Sequence, residues 1–140
     1  MYVLQTEQSF DAAHFLKDYK GKCSNIHGHR WRVVVSISSE KLSAEQQTKG
    51  MIIDFSDLKK VLKNICDYFD HTFIYEENSL KPETVTALQA ENFRLITVPF
   101  RPTAENFAHF FYEELKKEKY TVCHVEVYET PDNCAIYKEQ

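Results

Sequence analysis

The sequence predicts an α+β fold, an antiparallel four-stranded sheet with two helices on one face. Three observations carry that expectation. Apolar residues alternate with period two in two N-terminal stretches and again near the C-terminus; two intervening segments repeat them at spacings of three and four. The resulting order is strand, strand, helix, helix, strand, strand, which belongs to an α+β chain rather than to a run of βαβ units.

The first strand is expected over residues 2 to 14, with Tyr2, Leu4, Phe10, Ala12 and His14 sharing one side. The second runs from 27 to 38. There Trp31, Val33, Val35 and Ile37 point one way, and Arg30, Arg32, Ser36 and Ser38 point the other. His27 and His29 fall on the apolar side of that strand, at its start. The run DFSDLKKVLKNICDYFD places Phe55, Leu58, Leu62, Ile65 and Phe69 on one stripe of a helix capped by Asp54. A second helix begins at Pro102 and Thr103 and buries Phe107, Phe110, Phe111 and Leu115. Residues 72 to 101 hold no sustained period, with RLITVPF expected as a short strand. TVCHVEVYETP then sets Cys123, Val125 and Val127 against His124, Glu126 and Tyr128, and NCAIYKE follows the Pro131-Asp132 turn as a closing strand.

A chain of 140 residues with no repeat, low-complexity tract or Gly/Ser linker reads as a single domain over 1–140. Seventeen basic against twenty-one acidic side chains give a net charge of −4, so there is no basic field for nucleic acid. No apolar run nears the roughly 18 residues of a membrane span, and the N-terminus lacks a secretory pattern. A cytoplasmic protein with no membrane partner is expected. The four cysteines form no CxxC pair, so each is judged by its neighbours. Cys66, Cys123 and Cys134 read as core or strand residues.

If the first two strands form an antiparallel hairpin, His14, His27 and His29 converge on one patch of one face. Three neutral imidazoles suit Zn²⁺, and three protein ligands leave a coordination position open. A single histidine is more often a satisfied polar residue; three on one face point to a metal. The connection from about Phe15 to Ile26 is long for a hairpin and contains Cys23. Its thiol is a general base or nucleophile near the cation, or else a fourth ligand that closes a structural site.

Glu129 continues the apolar side of its strand, where a carboxylate is costly unless paired. A carboxylate there can read a guanidine-like edge such as that of a pterin or guanine. Alternatively the strand twists or bulges and Glu129 reaches solvent. Asp70 and His71 close the first helix, where Asp can satisfy a backbone group and His can complement the helix dipole. His109 and His124 have no companions that single them out.

The motifs FDAAH, CSNIHGH, MIIDFSDLK, FDH, PTAEN and YET, in this order from Phe10 to Thr130, resemble the 6-pyruvoyl-tetrahydropterin synthase and 6-carboxy-tetrahydropterin synthase family. The resemblance implies the tunnelling fold, whose subunits join their sheets into an oligomeric barrel with sites between protomers, and a homo-oligomer with a hexamer as the expected state. It implies His14, His27 and His29 as zinc ligands, Cys23 as proton acceptor, and Asp70, His71 and Glu129 as supports of the proton relay. Glu129 also matches the pterin anchor, and Thr103 and Glu105 match pterin-binding positions.

Three residues separate Cys23 from His27, a gap that resembles the carboxy-forming enzymes of queuosine biosynthesis rather than the pyruvoyl-forming branch. The implied reaction is a lyase step on 7,8-dihydroneopterin triphosphate giving 6-carboxy-5,6,7,8-tetrahydropterin, acetaldehyde and triphosphate. The alternatives are 6-pyruvoyl-tetrahydropterin synthase and, in another class, a non-catalytic zinc-stabilised pterin-binding module. Lys20, Lys22, Arg30, Arg32 and Arg101 are cations available for the triphosphate, none assigned, because a surface charge is ordinarily just solvated. The segment from about Glu76 to Pro99 is longer than in the compact members of the family.

Overall fold

A computed structural model describes residues 1–140. Its elements, in chain order, are β1 (Tyr2–His14), β2 (His27–Ser39), α1 (Phe55–Phe69), β3 (Thr72–Glu76), α2 (Pro82–Ala90), β4 (Leu95–Val98), α3 (Ala104–Lys117), β5 (Val122–Thr130) and β6 (Asn133–Tyr137), with a 3-10 turn at Lys22–Ser24 between the first two strands. One six-stranded sheet runs in the order β4-β3-β1-β2-β5-β6. The four expected strands form its antiparallel part, β1-β2-β5-β6.

The expectation of four strands and two helices is corrected by β3, α2 and β4. Both added strands are parallel: β3 meets the end of β1 at Ala12 and Ala13, and β4 runs beside β3. The strand expected in RLITVPF is β4, whereas β3 and α2 are additional. The physical reason is their size and setting. β3 has five residues and follows α1 almost directly, while the nine-residue α2 buries none of its side chains, so neither leaves a stripe to read.

The long strands pair without interruption from Tyr2↔Ser39 to His14↔His27. One face carries the core: Phe10, Trp31, Val33, Val35 and Ile37 from this hairpin lie under Leu58, Leu62 and Phe69 of α1 and Phe107, Phe111 and Leu115 of α3. Helix α1 starts at Asp54, whose carboxylate accepts the Ser56 N–H at 2.8 Å. Phe55 leaves the expected stripe and is 54% exposed, because it opens the helix beyond the main core; it joins Tyr2, Val3, Leu4 and Met51 around an apolar cleft. Ile65 and Phe110 are only half buried at the edge of the core.

In β5 the pairing shifts between Ser36 and Ile37, opposite Val122 and His124. The extra residue is Cys123. This bulge brings Val122 into the core beside Val125 and Val127 and leaves Cys123 half-buried, which strict alternation from Cys123 does not anticipate. Cys66 is a core residue, as expected, and burial pushes its thiol up to about 12. Cys134 lies exposed on β6.

Candidate metal and pterin site

Pairing of β1 with β2 sets His14 opposite His27 and places His29 opposite Ala12, two residues along the same face. Their ring nitrogens gather within 4.8 Å of one another. Trp31, fully buried two residues further along β2, meets His14 edge-on at 4.9 Å and His29 at 5.5 Å between ring centres. Its indole N–H donates to the Ala12 carbonyl at 3.3 Å, so the floor under the imidazoles is both packed and hydrogen-bonded.

Two of the tautomers follow from their partners. His14 Nδ1 lies 2.7 Å from the Pro102 carbonyl and His27 Nδ1 lies 2.7 Å from the Asn25 carbonyl. A carbonyl only accepts, so each Nδ1 carries a proton, and in the neutral ring each Nε2 then carries the lone pair. Those two Nε2 atoms are 3.0 Å apart. His29 Nε2 is buried with no hydrogen-bond partner, and a Glu129 carboxylate oxygen sits 3.3 Å from His14 Nε2 and 3.6 Å from His29 Nε2. Facing lone pairs, an orphaned buried nitrogen and a carboxylate need a positive charge among them. His14 does not supply it: burial, opposed by the Pro102 hydrogen bond and reinforced by the neighbouring imidazoles, lowers its pKa to about 4. Burial also lowers that of His29. Nitrogen donors of this type fit a divalent cation such as Zn²⁺.

Pairing of β5 with β6 shifts between Tyr128↔Cys134 and Thr130↔Asn133, so Glu129 occupies a bulge, yet the bulge aims it at the histidines and leaves it 28% exposed. Glu129 also lines a cavity of about 340 Å³ with Thr103 and Glu105, the two other positions expected around a pterin. Thr103 caps α3, its hydroxyl accepting the Asn106 N–H.

Asp70 and His71 form a second, exposed arrangement. Asp70 accepts the Asp11 N–H at 2.8 Å with one oxygen and the His71 Nδ1–H at 2.8 Å with the other. Those two bonds hold the Asp70 carboxyl below its usual range, the backbone bond contributing most. His71 adopts a left-handed backbone conformation, φ 56°, fixed by its N–H bond to the Asp11 carbonyl. Its Nε2 makes no hydrogen bond within the chain. His71, His29 and Gly28 line one open cavity of about 400 Å³.

Cys23 sits half-buried in the 3-10 turn, whose carbonyl accepts the Leu16 N–H at 2.8 Å. Its sulfur does not belong to the histidine group. The sequence did not single out Asp11, Asn25 and Pro102 as partners. Asp11 acts through its backbone on Asp70 and His71, and the other two through carbonyls, which leave no mark in side-chain pattern. Of the cations without assignment, Arg30 pairs with Asp11 and Arg32 with Glu7, while Arg101 lines the cavity of Glu129. His109 lies near Glu113, and His124 contacts Glu126 and Ser36 away from the site.

A curled α+β sheet with helices on one face and a histidine cluster at the end of its central hairpin defines a tunnelling-fold protein of the pterin synthase type. The 6-pyruvoyl tetrahydropterin synthase family model matches residues 3–140. The chain belongs to that family. It is 41% identical to the 6-carboxy-5,6,7,8-tetrahydropterin synthase of Haemophilus influenzae, over 99% of this chain and 100% of that protein. The enzyme of the same name from Aquifex aeolicus is 34% identical over 85% of this chain and 77% of its own. An uncharacterized protein from Wolinella succinogenes has the same fold, with TM-score 0.80 and 22% identity over 99% of this chain and 98% of its own. So does the 6-pyruvoyl tetrahydropterin synthase of Caenorhabditis elegans, with TM-score 0.68 and 25% identity over 99% and 96%. The chain is a lyase-type enzyme of pterin synthesis. None of its helices is long and apolar enough to cross a membrane.

Proposed function

We propose that this single-domain protein is a zinc-dependent lyase that converts 7,8-dihydroneopterin triphosphate and water to 6-carboxy-5,6,7,8-tetrahydropterin, acetaldehyde and triphosphate, a cytoplasmic step toward queuosine and other 7-deazaguanines. The observation that carries it is the convergence of two facing Nε2 lone pairs and an orphaned third imidazole beside Glu129. The carboxy-forming reaction is favoured over the pyruvoyl-forming one by the CxxxHGH gap and by the relatives that carry the corresponding name.

His14, His27 and His29 would hold the zinc. When bound, zinc supplies a Lewis acid that makes neighbouring hydroxyl and C–H protons easier to remove. The other roles belong to the chain. Glu129 accepts the amino and ring N–H edge of the pterin, with Thr103 and Glu105 beside it. Cys23 takes and returns protons on one face of the side chain. His71 does so on the other, oriented by Asp70 through their 2.8 Å bond.

The sheet also supports a homo-oligomer, with a hexamer as the proposed state. Beyond its two residues of contact with β3, the outer edge of β1 is unpaired, and so is the outer edge of β6. Such edges are templates for strands of further copies.

Mass-spectrometric product analysis with zinc content measured on the same sample tests the reading. Acetaldehyde with one equivalent of zinc supports it; a triphosphate-free product retaining its three-carbon side chain, without acetaldehyde, assigns the pyruvoyl reaction. Cys23→Ala separates enzyme from binding module. Retained zinc with turnover reduced by about 10²–10⁴ is expected, whereas loss of zinc and fold would mean that the thiol closes a structural site.

A further inference from the structure

We propose that Asn106 is a positioning residue for His14, acting through the Pro102 carbonyl. The inference rests on the metal reading of the histidine cluster and extends it to a residue of the PTAEN segment given no role above.

The Pro102 carbonyl is what fixes His14. By accepting the Nδ1–H at 2.7 Å it selects the tautomer whose Nε2 lone pair faces His27, and it sets the plane of the ring. Pro102 is buried, and its ring holds φ near −65°, so the direction of its carbonyl depends on the ψ rotation alone. That rotation is closed from both sides. Before Pro102, the Arg101 carbonyl accepts two hydrogen bonds, from the Thr103 N–H at 2.7 Å across a three-residue turn and from the Asn106 side-chain amide at 2.9 Å. After Pro102, the Thr103 hydroxyl accepts the Asn106 backbone N–H at 3.3 Å, and the Thr103 carbonyl accepts the Phe107 N–H at 3.0 Å. Asn106 therefore grips the residue on each side of Pro102. Its Nδ2 donates, since the Arg101 oxygen can only accept.

The same turn is tied to the loop that carries Cys23. The Arg101 guanidinium donates to the Lys17 carbonyl at 2.8 Å, and the adjacent Leu16 N–H donates to the Cys23 carbonyl. A partner on the second nitrogen of a metal-ligating histidine typically contributes about 10- to 100-fold in metal affinity. Asn106 holds that partner in place for His14.

The test uses the full chain with Zn²⁺ alone as probe. Asn106→Ala removes the side-chain bond to the Arg101 carbonyl and leaves the backbone bond to Thr103 in place, and Asn106→Asp keeps the side chain's shape but removes its donor, in the first turn of α3 where an acidic residue is favoured. Zinc affinity is measured by competition with a chromophoric chelator, and the ring-nitrogen NMR shifts of His14 are read in the metal-free protein. Expected are a wild-type His14 with its proton on Nδ1, and folded variants that mix the two tautomers and bind zinc about 10- to 100-fold more weakly. Folded variants with unchanged zinc affinity would overturn the inference. So would a wild-type His14 protonated on Nε2, a result that decides the matter even if both variants unfold. A wild-type protein that takes up no zinc defeats the metal reading instead, and the NMR result then judges the positioning separately.

Discussion

His29 Nε2 and the facing nitrogens of His14 and His27 are unsatisfied polar atoms that the fold holds together at a cost. An unpaired buried acceptor costs about 1–3 kcal/mol, and that cost is recovered when a cation arrives. Zinc at about 100 times its dissociation constant should add about 2.7 kcal/mol to stability. Calorimetry with zinc and with a chelator should show that increment in the wild type and none in His29→Ala. Acid acts in the opposite direction. His14 has a pKa of about 4 in the fold against 6.5 in the unfolded chain, so the unfolded state binds the extra proton first. The stabilisation is complete above pH 6.5 and is lost as pH falls toward 4. For the metal-free protein the loss is about 3 kcal/mol across that window, which urea titrations at successive pH values can check.

Among the elements, α1 is the most legible from sequence and can be tested at its start. Asp54→Ala removes the acceptor for the Ser56 N–H and should lower stability by about 1 kcal/mol, read from denaturant midpoints, without altering zinc affinity. The period-two pattern of β1 and β2 and the period of α1 and α3 were readable because each has one face against the core. The three histidines were readable for the same reason: hairpin pairing turns their positions into a distance. β3 and α2 were not, since a short strand and a helix with no buried side chain carry no period. The bulge at Cys123 was invisible too, because a bulge is a mismatch between two strands and alternation within one strand cannot report it; the one at Glu129 was legible only as an alternative, raised by the cost of a carboxylate facing the core.

At the scale of the whole molecule, the added β4-β3 pair extends the sheet next to His71, while the opposite edge is left to β6. Ile136 stands 61% exposed on that edge. Ile136→Lys places a charge where another copy's strand would pair, so light scattering should show smaller assemblies and turnover should fall with them. If the assembly is unchanged, the contact between copies lies elsewhere.

Trp31 is the only tryptophan in the chain, and it lies edge-on beneath two of the three clustered imidazoles. The protein thus has one tryptophan fluorophore, placed where a cation would bind. Its emission should respond to zinc without any label, dim when a paramagnetic ion such as Co²⁺ takes the same place, and give loading kinetics by stopped flow from the unmodified protein.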